Sequence, residues 1–357
     1  MLSRCPAGGY TVGFFMEIAE VKESRVQSAV RRYGPALAAL MVLVCAGGCG
    51  RKDQRAYVTE ERLEAGMVVS LDGVGGYNWG PQWLREGLDE AGVKSALMIY
   101  DWSKGPGGMF VADLVDEARN RAAARDLAQL VATYMAAMPN RPITLIGHSG
   151  GTAIVVWALE DLADMQKKAP GTACVERVFL LAPALAPDYD LSKSLRAVRR
   201  RMYVMYSYGD VGLMAAGTFV FGTMDRQHSV SAGLTGFKLP PALSPADKTE
   251  YAKVRQISWS IKLVKSGHWL GGHMGWTTTQ FAREFIAPIL AGKSDPGQPM
   301  VTIAVGPSGA TTVAPAASAP ETPVPGPAAP AAGQPPLPEP APPARADTPA
   351  TRQPGGA

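Results

Sequence analysis

The sequence predicts an α/β fold built on a mainly parallel sheet with helices covering both faces. Three observations carry this expectation. Short, continuous apolar runs recur between residues 58 and 291; segments with helical apolar spacing separate them; and the whole stretch has the size of one ordinary domain.

The elements follow in order. "MVVSLDG" (67–73) is a short apolar run ending in glycine, and "SALMIYDW" (95–102) is a second. Residues 114–138 hold good helix formers, with Leu127, Leu130, Val131 and Tyr134 at helical spacing. "PITLIG" (142–147) is a third strand, and 151–165 reads as helix. "RVFLLAPAL" (177–185), "RMYVMYS" (201–207) and "ISWSIKLV" (257–264) complete the strands, and "TTQFAREFIAPIL" (278–290) closes the domain as a helix. No internal repeat is visible.

The two ends differ from this middle. Arg31 and Arg32 precede an apolar run at 35–48, which is shorter than the roughly 18 residues a membrane span needs and matches a signal-peptide core. Ala46, Gly47 and Gly48 then lead to Cys49, and this resembles a bacterial lipobox, with Cys49 as the lipidated residue. The match departs from the usual pattern at Ala46, and an ordinary secretory signal or short anchor accounts for the same run. Residues 1–49 are thus expected to direct export to the cell envelope, with Met16 as a later possible start. Residues 292–357 hold 17 of the 30 prolines, mixed with Ala, Gly, Thr and Ser, and are expected to form a disordered or polyproline-like tail.

Composition narrows the function. The formal net charge is +4 without a dense basic block, so neither nucleic acid nor an anionic membrane surface is indicated as a partner. The most basic stretch, Arg196 with Arg199, Arg200 and Arg201, is read as a solvated helix face. Cys5, Cys45, Cys49 and Cys174 show no metal-ligand spacing; no metal or organic cofactor is expected, and Cys174 is read as a small buried hydrophobe.

The chemistry concentrates at Gly147-His148-Ser149-Gly150-Gly151. This Gly-x-Ser-x-Gly follows a strand and opens a helix, the context in which such a motif has meaning. A serine on so sharp a turn needs neighbours without Cβ atoms, and Gly147 and Gly151 meet that need. The turn aims the hydroxyl out of the sheet and leaves backbone N–H groups free at a helix start, where negative charge is favoured.

On this motif and the strand–helix order of residues 65–290, the domain resembles the α/β-hydrolase superfamily, in its serine esterase and lipase-like form. The resemblance implies a triad in the order serine, acid, histidine. Ser149 is then the nucleophile. The implied acid is Asp210 in "MYSYGDVG", with Asp188 and Asp190 as the runners-up. The implied base is His273 or His268, both in "SGHWLGGHMGW"; His273 is favoured because glycines surround it and the closing helix follows directly. His148 is expected to pack under the turn, and His228 is given no role. The oxyanion hole is expected to use the amides of Gly150 and, from "LDGVGGYNWG", Val74. Asp72 departs from the superfamily's usual pattern there, and its carboxylate is expected to turn away onto backbone groups. Tyr77, Trp79 and the Gly-, Met- and Phe-rich stretch 212–237 are candidates to meet substrate.

The function this implies is hydrolysis of a small-molecule or lipid-like carboxylic ester through an acyl-enzyme. The same scaffold also serves amidases, peptidases and thioesterases, and a non-catalytic, envelope-anchored binding protein would keep the fold alone.

Overall fold

The computed structural model describes residues 51–105, 110–168, 174–210, 223–227, 229–268, 271–305 and 311–315. Cys49, all of 212–222, His228 and the tail beyond 315 lie outside the described residues.

Seven strands form the main sheet: β1 Met67–Leu71, β2 Ala96–Ile99, β3 Ile143–His148, β4 Val175–Leu181, β5 Val198–Tyr206, β6 Val254–Ser258 and β7 Gln298–Pro299. Their order is β2-β1-β3-β4-β5-β6-β7, parallel throughout except where β7 runs antiparallel to β6. From β1 the chain moves outward to β2, then crosses back to lay β3 on β1's other side. This reversal opens a crevice at the carboxyl ends of β1 and β3, where open α/β sheets place their ligands. Leu71 pairs with Gly147 across that junction, so the loops after β1 and β3 begin side by side.

Every residue of β1 and β3 is buried, which is why these strands read as unbroken apolar runs. Successive side chains still alternate between two cores. Val69, Leu71, Leu145, Val178, Leu180 and Val204 face one core. Val68, Leu97, Ile146, Phe179, Leu181 and Met205 face the other. The first is covered by two helices, Glu117–Ala137 and Gly151–Lys168. The second is covered by Trp79–Glu90, through Leu84 and Leu88, and by the closing helix, through Phe281 and Ile286. Each such aliphatic side chain contributes about 1.5–3 kcal/mol by leaving water.

Local signals set the helix starts. The Asp116 carboxylate accepts from the Arg119 amide at 3.1 Å and caps Glu117–Ala137. Thr278 caps the closing helix by accepting from the Phe281 amide at 3.2 Å. That helix passes through a π-turn at Ala282–Ile286 before ending at Ala287–Leu290. Helix Trp79–Glu90 carries Gly80, Pro81 and Gly87, which hide its pattern from composition. Pro81 is tolerated because first-turn amides have no intrahelical acceptor.

Several expectations need correction. The last long strand is Val254–Ser258; the run 257–264 leaves the sheet after Ser258 and forms a 3₁₀ turn over Ile261–Ser266, with Ile261 73% exposed. Arg199, Arg200 and Arg201 lie in β5, not on a helix; Arg199 and Arg200 face Glu176, while Arg201 pairs with Asp295. Cys174 is half-exposed rather than buried. The ordered fold extends beyond 58–291 at both ends. Helix Arg51–Tyr57 precedes it, its Gln54 bonding both backbone groups of Ile99. After 291, Asp295 accepts from Tyr203 at 2.8 Å, β7 joins β6, and β8 Val301–Val305 pairs with β9 Thr311–Pro315. Met300 and Val301 are buried, so the expected tail begins later than residue 292.

Candidate active site

The end of β3 builds the turn. Ser149 sits at φ +51°, a left-handed conformation that costs a non-glycine residue roughly 1–3 kcal/mol and persists only where surroundings enforce it. The enforcement is visible. The Ser149 amide still bonds Leu181 in the sheet at 2.9 Å, while its carbonyl already accepts from the Thr152 amide at 3.0 Å in the helix. The glycines make room: a methyl on Gly147 would stand 2.8 Å from the Thr152 Cα, and one on Gly151 would collide with the Asp72 carbonyl.

The loop after β1 lies against this turn. A methyl on Gly73 would stand 3.0 Å from the Ser149 Cβ and 3.3 Å from its Oγ. One on Gly150 would stand 3.4 Å from the Val74 nitrogen. The Gly73 amide donates to the Asp72 carboxylate at 2.8 Å, and the Gly75 amide donates to Asp113 at 2.9 Å. Between them, the Val74 amide donates to no acceptor among the described residues, and neither does that of Gly150. Two N–H groups without an acceptor among the described residues therefore lie in the neighbouring Val74 and Gly150 segments.

The loops after β5 and β6 bring Asp210 and His273 together. Asp210, 3% exposed, follows β5, and its Oδ2 lies 2.6 Å from Nδ1 of His273, which follows β6. A carboxylate only accepts, so Nδ1 carries the hydrogen and Nε2 keeps its lone pair. Burial holds the His273 pKa below its ordinary 6.5; the Asp210 bond opposes this, and the neighbouring His148 adds to it. Burial and His148 favour a neutral imidazole, while the Asp210 bond favours its cation.

The rings of His148 and His273 meet at a tilt of 48°, with centroids 4.7 Å apart. His148 Nε2 donates to the His273 carbonyl at 3.2 Å, which ties the residue before the serine to the loop bearing the base. Its Nδ1 faces Asp72 Oδ1 at 3.5 Å, too long for a good hydrogen bond. Asp72 thus turns onto the Gly73 amide and toward His148. Among the described residues the Ser149 hydroxyl makes no hydrogen bond. Such contacts commonly tighten only with substrate bound.

The remaining candidates fall elsewhere. His268 is fully buried among Trp276, Phe281 and Trp259, with ring centroids 4.1, 6.1 and 6.2 Å away. Burial lowers its pKa to about 4, and neither ring nitrogen has a partner among the described residues. It packs within this aromatic cluster. Asp190 accepts from Ser192 and Tyr251, and among the described contacts Asp188 bonds neither histidine. Tyr77, on the loop that carries Val74, and Trp79, at the start of the helix that follows, are half-exposed with rings 5.1 Å apart. No group of His, Cys, Asp and Glu suited to a metal occurs among the described residues.

Two further residues belong to the site and have no signature in the sequence. Trp102 donates its Nε1 to the Asp72 carbonyl at 2.8 Å and lies under Gly150. Asp113 holds Gly75. Buried polar contacts between distant loops leave no periodic trace.

The family described as "Alpha/beta hydrolase of unknown function (DUF900)" matches residues 84–234, under half of the chain and including Ser149 and Asp210. No curated protein matches the sequence. Among solved structures, a lipase-esterase related protein from Clostridium acetobutylicum is similar at 11% identity, covering 64% of this chain and 95% of its own, with TM-score 0.34. A cutinase-like protein from Cryptococcus sp. is similar at 15% identity over 66% of this chain and 98% of its own, with TM-score 0.33. A Trichoderma reesei cutinase is similar at 14% identity over 79% and 98%, with TM-score 0.31. These likenesses assign no activity.

Proposed function

We propose that this chain, an α/β-hydrolase by its sheet topology and its family match, cleaves a carboxylic ester through an acyl-enzyme on Ser149. The observation that carries the reading is the 2.6 Å contact between Asp210 and His273, on loops that open beside a serine held at φ +51°.

In this reading the Ser149 Oγ attacks the ester carbonyl carbon while His273 Nε2 takes the hydroxyl proton. The Gly150 and Val74 amides hold the oxygen as it becomes an anion, and loss of one such donor costs about 2.7–4 kcal/mol. As the C–O bond breaks, His273 returns the proton to the leaving alkoxide. Water then attacks the acyl carbon, giving its proton to Nε2, and the acid departs as Oγ is reprotonated. Asp210 keeps the imidazole oriented and stabilises its cationic form. The exposed rings of Tyr77 and Trp79 suit an apolar acyl or alcohol group at the mouth. Attachment to the envelope through Cys49 belongs to the same proposal; no helix among the described residues is long and apolar enough to cross a membrane.

Hydrolysis of p-nitrophenyl esters tests it. The expected result is a burst of p-nitrophenol matching the enzyme concentration, followed by slower turnover, with both absent in Ser149→Ala. Turnover undiminished in that variant removes the proposal.

A further inference from the structure

We infer that Asp113 is a positioning residue for the oxyanion hole: its buried carboxylate fixes the Val74 amide by holding the next amide in the chain. This rests on the ester-hydrolase reading above. Asp113 lies in helix Phe110–Val115, is fully buried and touches neither Asp210 nor His273. Its Oδ2 accepts from the Gly75 amide at 2.9 Å and from the Ser103 hydroxyl. Its Oδ1 accepts from the Lys104 amide at 3.2 Å and from Arg119 Nη2 at 2.5 Å. A carboxylate offers about four lone-pair sites, and here all are used. A buried charge needs its counter-ion and hydrogen bonds to its remaining lone pairs, from whichever elements lie nearest. This one gathers the β1 loop, the 103–105 loop and the 117–137 helix onto one group.

The loop is held at its other end too. Trp102 Nε1 bonds the Asp72 carbonyl at 2.8 Å, and Arg119 Nη1 donates to the Trp102 carbonyl at 3.2 Å. Val74 is therefore suspended between two anchored points, Asp72 and Gly75, which both lead back to Arg119. Gly76 adds a tight seat: at φ +56° it presses on Ser103, where a methyl would stand 2.7 Å from the side chain. An oxyanion donor must lie within a few tenths of an ångström of the developing charge, so the direction of the Val74 amide matters to rate. Bonds to an ionised acceptor are roughly twice as strong as neutral ones, which explains a carboxylate in a place where a carbonyl would complete the turn.

Asp113→Asn keeps the shape and replaces one acceptor oxygen with a donor. The test measures hydrogen exchange over residues 72–77, with kcat and KM on p-nitrophenyl acetate, in the full chain. The expected result is about tenfold faster exchange at 73–76 and a kcat at least about tenfold lower, with KM within about twofold. Should that variant fail to fold, Ser103→Ala, which removes one of the four donors, is read on the same two measurements, with smaller changes in the same directions. Faster exchange with unchanged kcat overturns the inference, and so does unchanged exchange. A wild type that turns over no ester and accepts no serine-directed probe overturns the proposed function instead; exchange then decides alone whether Asp113 tethers the loop.

Discussion

His273 Nδ1 and Asp210 Oδ2 lie 2.6 Å apart although 63 residues separate them in the chain. Each follows one of two neighbouring parallel strands, β5 and β6, so the sheet rather than local sequence makes the pair. Removing the carboxylate leaves the imidazole free to turn and to take the wrong tautomer. Asp210→Asn is expected to lower kcat by on the order of 10⁴-fold, with KM little changed. Steady-state kinetics on a p-nitrophenyl ester checks it, and a loss under tenfold would dismiss Asp210 as the acid.

The same pair sets the acid limb of the pH profile. Burial holds His273 below 6.5, and only its neutral form can accept the serine proton. Activity should therefore rise with pH and reach its plateau with a midpoint below 6.5. The Asp210 bond raises the pKa against burial, so residual activity in Asp210→Asn should show a midpoint at lower pH still. A kcat/KM profile on both proteins reads the direction; a limb that moves upward contradicts this assignment of causes.

His268 predicts a stability effect without a catalytic one. Unfolded, it binds a proton near pH 6.5; folded, it resists until about 4. Between these values the unfolded chain holds more protons, so stability falls as pH drops through the window, by up to about 3 kcal/mol. His268→Leu should shrink the difference between urea midpoints at pH 7 and pH 4.5. It should also retain ester hydrolysis near pH 8, whereas abolished turnover in a folded variant would point to His268 as the base.

Gly73 tests the closeness of the two loops. A Cβ at this position would meet Ser149 Cβ at 3.0 Å and Oγ at 3.3 Å. Gly73→Ala should displace the nucleophile and slow acylation by about tenfold or more, because small misplacements at a reacting centre are costly. Thermal unfolding should change little, since Gly73 has an ordinary backbone conformation. An unaltered burst rate would show that the serine sits farther from this loop.

How much of this was legible in the sequence follows from its physics. The turn at Ser149 was legible because a strained conformation needs glycines at fixed offsets, whereas the meeting of Asp210 with His273 was implied only by the resemblance to α/β-hydrolases. His273 and His268 lie in one glycine-rich segment, and what separates them in the fold is packing: His273 meets Asp210, whereas His268 is enclosed by aromatic rings. The run 257–264 misled because Ile257, Trp259, Ile261 and Leu263 alternate like a half-buried strand, whereas this sheet is covered on both faces. The arginines of β5 misled because strand ends reach solvent even in a buried sheet. Asp113 was illegible: an acidic residue in a short helical segment reads as solvated, and only the fold brings four donors to it.

The central claim is that Ser149 is a nucleophile activated by His273. Intact-mass measurement after a fluorophosphonate probe tests it most directly. The account predicts one adduct per chain on the wild type, with none on Ser149→Ala and slow labelling of His273→Ala. An adduct of equal extent on the Ser149→Ala protein would contradict it.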